Sequence, residues 1–432
     1  MRLGSPGSRK LLRLQHFQII ALYGAVAGCQ FADLAQEIDQ MEEFSAISGR
    51  IELDTPSGDP VAVALFSDAL QRDELVDAQL IETREFHFAA PPGNYFIFAF
   101  EDTNRDFRYQ PNERAGYFGD PTAIALQAGA DQADIRIRLR KNLSLPDSEG
   151  ASTTASERDN GAFPKLWVGR KNVGAIASLE NAQFGEEFGN LGMWEPLRFS
   201  LEVGPGLFLL EPYDPNKTPI LFVHGIDSTP QAWREIIERL DRRRFQPWVL
   251  SYASGLPLEA NADYMFDAVT QLRLLHDFER LFIVAHSMGG LLSHAFVDRH
   301  RADSTGYLKF FVTLATPWGG HSAAQLGVDY APAVVPVWRD LAPTSTFLST
   351  LQSSDLPENL PYHLMFSYRG GGLPSTTAND GAVSVASQLH LAAQARAERI
   401  YGFDTSHTDI LSDDTVIQLL NEILTSALES PE

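Results

Sequence analysis

The sequence predicts an α/β fold, a mostly parallel sheet flanked by helices, preceded by a small all-β sandwich domain. Three observations carry this. Two apolar runs, Pro219–Val223 and Leu281–Ala285, each end in a polar turn and give way to a helical pattern, the rhythm of a parallel sheet. Short alternating runs separated by Gly and Pro clusters fill residues 47–139, as an antiparallel sandwich requires. Between them lies a charged, Ser/Thr-rich stretch that reads as a flexible linker. The expected divisions are a leading segment at 1–28, a tether at 29–44, the sandwich at 45–140, the linker at 141–163 and the α/β region at 164–432.

The first 28 residues read as a targeting segment and not as structure. Arg2, Arg9, Lys10 and Arg13 make it basic, Phe17 to Ala27 is a short apolar run, and Val26-Ala27-Gly28-Cys29 closes it. Small residues before a cysteine resemble a bacterial lipobox. The resemblance implies cleavage before Cys29, diacylation of its thiol and a lipid-anchored protein of the bacterial cell envelope. Plain signal-peptidase cleavage beside an incidental cysteine is the alternative. Cys29 is the single cysteine, so no disulfide can form within the chain. Gln30 stands where aspartate would mark inner-membrane retention, which points to the outer membrane. The acidic, helix-prone residues after it read as a short tether.

The sandwich is read from the runs Ile47–Leu53, Val61–Phe66, Phe86–Phe88, Tyr95–Glu101, Ala123–Leu126 and Ile135–Leu139. It contains one metal-like spacing. Asp102-x-Asn104-x-Asp106-x₆-Glu113 matches the oxygen ligands of a calcium loop, but Phe107 stands where the sharp turn calls for glycine. The two readings are a calcium site and a polar turn between strands, and the second fits the strand-like flank better.

Gly174–Leu179 and Gly206–Leu210 read as opening strands of the α/β sheet. The strand Pro219–Val223 runs into His224-Gly225-Ile226-Asp227, and helical periodicity then places Trp233, Ile236, Ile237 and Leu240 on one face. In this architecture the backbone N–H after the His-Gly pair can point at a developing oxyanion, so Ile226 is one expected donor. His224 reads as a brace for that loop.

The strand Leu281–Ala285 stops at His286-Ser287-Met288-Gly289-Gly290 before a helix with Leu291, Leu292 and Phe296. Strand, sharp turn and helix form the setting of a nucleophile elbow, with Ser287 at the turn. So tight a turn needs small residues two positions to either side, here Ala285 and Gly289. The turn aims the Met288 N–H beside the serine as the second oxyanion donor. The alternative is an ordinary strand-to-helix junction with a chance serine.

The segment from Trp318 to Leu341 is apolar, with Tyr330, Val334, Val335, Val337 and Trp338, and Pro332 and Pro336 interrupt any long helix. It reads either as a lining of an acyl pocket or as ordinary packing against the sheet. Tyr362–Tyr368 is the penultimate strand, and Asp380, before a glycine in the following loop, suits a carboxylate turned towards a histidine. Asp404, Asp409 and Asp340 are the other candidates for that role. Arg399–Phe403 is the last strand, His407 follows it as the expected base, and an amphipathic helix closes the chain. His321 and His363 are the rivals to His407.

With these residues in place, the region from about Tyr213 onward resembles the α/β-hydrolases of the lipase and esterase superfamily. It is nearest to bacterial lipases and to glycosylphosphatidylinositol inositol-deacylase-like hydrolases. The matching pieces are Val223–Gly225, Ala285–Gly290, Ala315–Gly320, Asn379–Val383 and Ser406–Leu411, in the expected order. The resemblance implies the fold and a serine-ester mechanism with no cofactor and no metal. It leaves the substrate open and does not reach the sandwich.

The net charge is −22, from 56 acidic against 34 basic residues, which excludes the basic footprint of a nucleic-acid binder. The first functional reading is a lipid-directed hydrolase of carboxylic esters, working on an ester or lipid substrate from a membrane anchor. The second is an acyltransferase with the same catalytic groups. The third is a non-catalytic envelope binding or assembly protein, with the sandwich as a docking module for an envelope partner.

Overall fold

The computed structural model describes residues 30–55, 57–67, 75–81, 84–119, 122–141, 143, 172–300, 306–370 and 378–429. Cys29, the leading segment and nearly all of the expected linker lie outside them.

Eight strands build the sandwich: β1 (Ser45–Leu53), β2 (Val61–Phe66), β3 (Leu75–Ile81), β4 (Glu85–Ala90), β5 (Gly93–Glu101), β6 (Ala115–Tyr117), β7 (Ile124–Leu126) and β8 (Gln132–Leu139). One sheet runs β4-β1-β8 and the other β3-β2-β5-β6, with β7 paired to β5. Strand β8 shows why two sheets must pack. Ile135, Ile137 and Leu139 point inward and Arg136 and Arg138 outward, the period of two that buries one face only. Those residues meet Ile47, Ile51, Phe86 and Phe88 of their own sheet and Val63, Leu65 and Ile97 of the other. The pairing is antiparallel except between β1 and β8, which run parallel.

The loop with calcium-like spacing is a closed polar turn. The buried Asp102 carboxylate accepts the N–H groups of Asp106 (3.1 Å) and Phe107 (2.9 Å). Glu113, also buried, accepts from Thr103 N (3.0 Å) and Gln110 N (2.8 Å). Phe107 has a positive φ of 58°, and its buried ring joins Phe98, Phe100 and Tyr109 in the core. Among the described residues, no group of three or more His, Cys, Asp or Glu is arranged to hold a metal ion.

The second sheet contains β9 (Val173–Ile176), β10 (Gly206–Leu209), β11 (Thr218–Val223), β12 (Phe245–Ser251), β13 (Leu281–His286), β14 (Leu308–Leu314), β15 (Tyr362–Ser367) and β16 (Arg399–Phe403). Its order is β16-β15-β14-β13-β11-β12-β10-β9. The six strands from β16 to β12 are parallel, and β10 is antiparallel to β12. The central strands are buried on both faces, which is why they read as unbroken apolar runs. In β11, Leu221 and Val223 face one layer while Ile220 and Phe222 face the other.

Seven helices matter to the site: α1 (residues 30–42), α2 (Glu186–Trp194), α3 (Leu258–His276), α4 (Met288–Arg299), α5 (Ser322–Tyr330), α6 (Pro336–Leu341) and α7 (Asp414–Glu429). Helices α3 and α4 cover one face of the sheet through Met265, Val269, Leu272, Leu291 and Phe296. The opposite face is closed by α7 with Val416, Leu420 and Leu424, together with Ile236 and Ile237.

Residues 30–42, expected as a tether, are instead a docked helix. Phe31, Leu34 and Ile38 form a stripe at helical spacing, and Leu34 is fully buried in the core of the α/β region. The sandwich also touches that region, since Leu274 of α3 packs into the cluster of Phe98, Phe100 and Tyr109. A fragment starting near residue 164, which the sequence alone suggests would fold independently, loses both contacts. The stripe is thin and set among acidic residues, so it escapes a reading of local composition.

Candidate active site

Strand β13 delivers Ser287 to a turn that only this packing sustains. Ser287 has φ 53° and ψ −131°, a strained combination for a residue with a side chain. Its N–H is held by the Leu314 carbonyl of the adjacent strand at 2.8 Å. A Cβ on Gly289 would lie 2.4 Å from the carbonyl oxygens of both Val223 and His224, so this position demands glycine. A Cβ on Gly225 would come within 2.9 Å of Ser287 Cβ.

The structure brings Ser287, His407 and Asp380 together from the ends of three strands. His407 Nε2 lies 2.9 Å from Ser287 Oγ, and His407 Nδ1 lies 2.7 Å from Asp380 Oδ2. The His407 N–H also donates to the Asp380 carbonyl at 2.9 Å, which fixes one loop on the other. An ionised Asp380 accepts only, so Nδ1 carries the imidazole proton and Nε2 is free to accept the serine proton. Asp380 is fully buried with five donors on its carboxylate. Oδ1 accepts the N–H groups of Ala382 (3.0 Å) and Val383 (2.7 Å). Oδ2 accepts from Ser367 Oγ (2.8 Å), Gln388 Nε2 (3.0 Å) and His407. Burial alone would raise the pKa of this group. The hydrogen bond and charge of His407, with the two N–H groups, outweigh it and hold the carboxyl below its usual range.

The other candidates sit elsewhere. Asp404 is exposed and pairs with Arg369 Nε at 3.1 Å. Asp409 is exposed at the start of a 3₁₀ turn. Asp340 caps α3 by accepting the Leu258 N–H at 2.7 Å. His321 caps α5 and contacts the Ala382 carbonyl at 2.8 Å. His363 lies within β15 against Phe310.

Three supporting side chains went unnoticed in the sequence. Gln388 donates to Asp380 and to the Ser367 carbonyl (3.0 Å), while its own oxygen accepts the Ser367 N–H (3.0 Å). The Ser367 hydroxyl is the second support, on Asp380 Oδ2. His286 is the third, with its Nε2–H donated to the His407 carbonyl at 2.8 Å. None carries a local signal, because each acts on a residue brought near only by folding.

Both histidines beside the turn are buried and neutral. Burial, together with the nearby His407, pushes His286 down to about 3. Burial pushes His224 down to about 4, against a smaller upward effect of its Nδ1 hydrogen bond to the Gly225 carbonyl. His224 is stacked on Tyr252, whose hydroxyl donates to the His224 carbonyl at 2.7 Å. These contacts make it a brace. In the unfolded chain both would take a proton at the ordinary 6.5, but the fold refuses it until about 4 or about 3. Stability is therefore complete above the unfolded value and falls as pH drops below it. Each histidine reduces the folding constant by up to about tenfold per pH unit in that window. Urea midpoints should fall steeply from pH 6.5 towards 4, and less steeply in His224→Gln. Equal slopes in both proteins would contradict this.

Ser287 opens onto a cleft of about 1110 Å³. Ile226, Met288, Pro317, Ala324, Trp338 and Leu341 give it an apolar wall, so the 318–341 segment lines the cleft as well as packing on the sheet through Val335 and Val337. Glu186, Asn190, Asp227, Gln231 and Glu235 also line it and supply its polar part. Ile226 and Met288, the expected donors, both border this space beside Ser287. Met288 opens α4, where first-turn N–H groups have no partner within the helix.

Residues 220–418 match the alpha/beta hydrolase family. This region has the α/β-hydrolase fold. The chain is similar in structure to the mature lipase BlEst2 of Bacillus licheniformis, with 20% identity and a TM-score of 0.41, over 50% of this chain and 97% of that one. It is also similar to the metagenomic carboxyl esterase MGS0156, with 14% identity and a TM-score of 0.38, over 50% of this chain and 76% of that one. Among curated proteins, none matches the chain. No helix among the described residues is long and apolar enough to cross a membrane.

Proposed function

We propose that the protein is a serine hydrolase of carboxylic esters, directed at lipid esters and held at the cell envelope by a lipid on Cys29. The observation that carries the reading is the unbroken chain from Ser287 Oγ through His407 to Asp380, at 2.9 and 2.7 Å. Ser287 Oγ attacks the ester carbonyl as His407 Nε2 takes its proton. The carbonyl oxygen becomes an oxyanion, and the Ile226 and Met288 N–H groups stabilise it. Collapse of this intermediate breaks the ester C–O bond, and His407 returns the proton to the leaving alcohol oxygen. Water, deprotonated by His407, then attacks the acyl-serine, and Ser287 leaves with the proton. Asp380 keeps the imidazole in the useful tautomer throughout. The apolar wall around Trp338 and Leu341 supports an acyl chain as the group held there.

An acyltransferase would use the same groups with another alcohol in place of water. Product analysis separates the two. Free acid from a lipid ester, formed at an equal rate with and without an added acceptor alcohol, supports hydrolysis. An acylated acceptor as the main product overturns it.

Anchoring has its own test. Cys29→Ser should leave the protein unprocessed or release it from the membrane fraction, since two acyl chains would supply the stable attachment. Normal processing and unchanged partitioning of the variant would refute the lipid anchor.

A further inference from the structure

We infer that helix α1 is a working part of the substrate cleft. Through Phe31 and Trp194 it braces Trp338, the wall against which the acyl chain lies. The inference rests on the ester-hydrolase reading and adds to it what sets acyl selectivity.

Trp338 borders the cleft, and its ring lies on Gly327 of α5. A Cβ at Gly327 would approach Trp338 Cε3 to 2.4 Å, so the glycine gives the indole its seat. The backbone beneath is pinned to α3 and the loop before it: the Val337 N–H donates to the Gly255 carbonyl at 3.1 Å, and Asp340 holds the Leu258 N–H. The indole itself is half-buried. Trp194 meets it edge to face, with centroids 5.8 Å apart at 86°. Phe31 then meets Trp194 in the same way, at 5.4 Å and 89°. Three rings thus run from the first turn of α1 to the cleft.

A second contact of α1 fixes the same corner. The Glu37 carboxylate is buried and accepts the N–H groups of Leu197 and Arg198, each at 2.8 Å, just beyond Trp194. Helix α2, which ends at Trp194, also carries Glu186 and Asn190 of the cleft's polar part. So α1 is tied both to Trp194, at the end of α2, and to the turn that follows it. Removal of the Phe31 ring gives Trp194 room to turn and weakens its support of the Trp338 ring. An acetyl group fills only the space next to Ser287 and hardly senses that wall. A long acyl chain runs along it.

The test measures kcat/KM of the detergent-solubilised full chain for p-nitrophenyl dodecanoate and p-nitrophenyl acetate. The ratio of the two should fall about tenfold in Phe31→Ala and in Trp338→Ala, the scale of a lost apolar contact in a pocket. Phe31→Tyr should restore it. Phe31→Leu, which keeps α1 apolar but removes the ring edge, should also lower the ratio and serves if the alanine variant fails to fold. A folded Phe31→Leu or Phe31→Ala protein with the wild-type ratio overturns the inference alone. Absence of turnover of both esters in the wild type overturns the hydrolase reading and this inference together.

Discussion

Ser287→Ala is expected to lower kcat on short p-nitrophenyl esters by about a millionfold, leaving only the residual catalysis of binding and oxyanion stabilisation. The size follows from the unit Ser287 belongs to. Without Oγ there is no covalent step, and His407 has no proton to move along its 2.9 Å contact. The fold should survive. Alanine endures the positive φ of 53° no worse than serine, and the N–H of residue 287 still reaches the Leu314 carbonyl. Kinetics together with a thermal melt check both halves of this expectation. Turnover within tenfold of wild type would remove Ser287 from the mechanism.

Asp380→Asn should lower kcat by about ten-thousandfold, and here the local structure makes the loss severe. Oδ2 faces three donors, from His407, Ser367 and Gln388, and Oδ1 faces two more, from Ala382 and Val383. An asparagine must turn its NH₂ towards one of these groups. If it faces His407, the imidazole is driven into the wrong tautomer. If it faces Ala382 and Val383, donor opposes donor in a buried site, which costs about 1–3 kcal/mol for each unpaired group. Either way activity falls, and the melting temperature should fall with it. Asp404→Asn and Asp409→Asn alter exposed carboxylates and should change kcat less than about threefold, as surface changes away from a site generally do. Should Asp404→Asn prove the most damaging of the three, the assignment of Asp380 fails.

Much of this arrangement was legible in the sequence because chain order and periodicity encode it. The unbroken apolar run Leu281–Ala285 can only be a strand covered on both faces, and the small residues around Ser287 follow from the turn it must make. His407 was legible through its place after the last strand, and Asp380 through its loop before a glycine. The contacts around them were not. Gln388 reaches Asp380 across eight residues, and His286 reaches the His407 carbonyl across 121, with no pattern linking either pair beforehand. The docking of α1 was hidden for another reason. Glu37 looks like one more solvated acid in an acidic segment, yet it is buried on N–H groups 160 residues away. At the calcium-like spacing the carboxylates of Asp102 and Glu113 are occupied by backbone donors and Phe107 fills the core, which is the polar turn that the strand-like flank favoured.

The most direct test of the central claim is the site of covalent capture. The purified protein, treated with a fluorophosphonate and digested for peptide mass mapping, should carry one adduct per chain, on Ser287. Capture should slow by orders of magnitude in His407→Ala, because the nucleophile then lacks its base. An adduct on a different serine, or continued ester turnover by a protein whose Ser287 is fully labelled, would contradict the account.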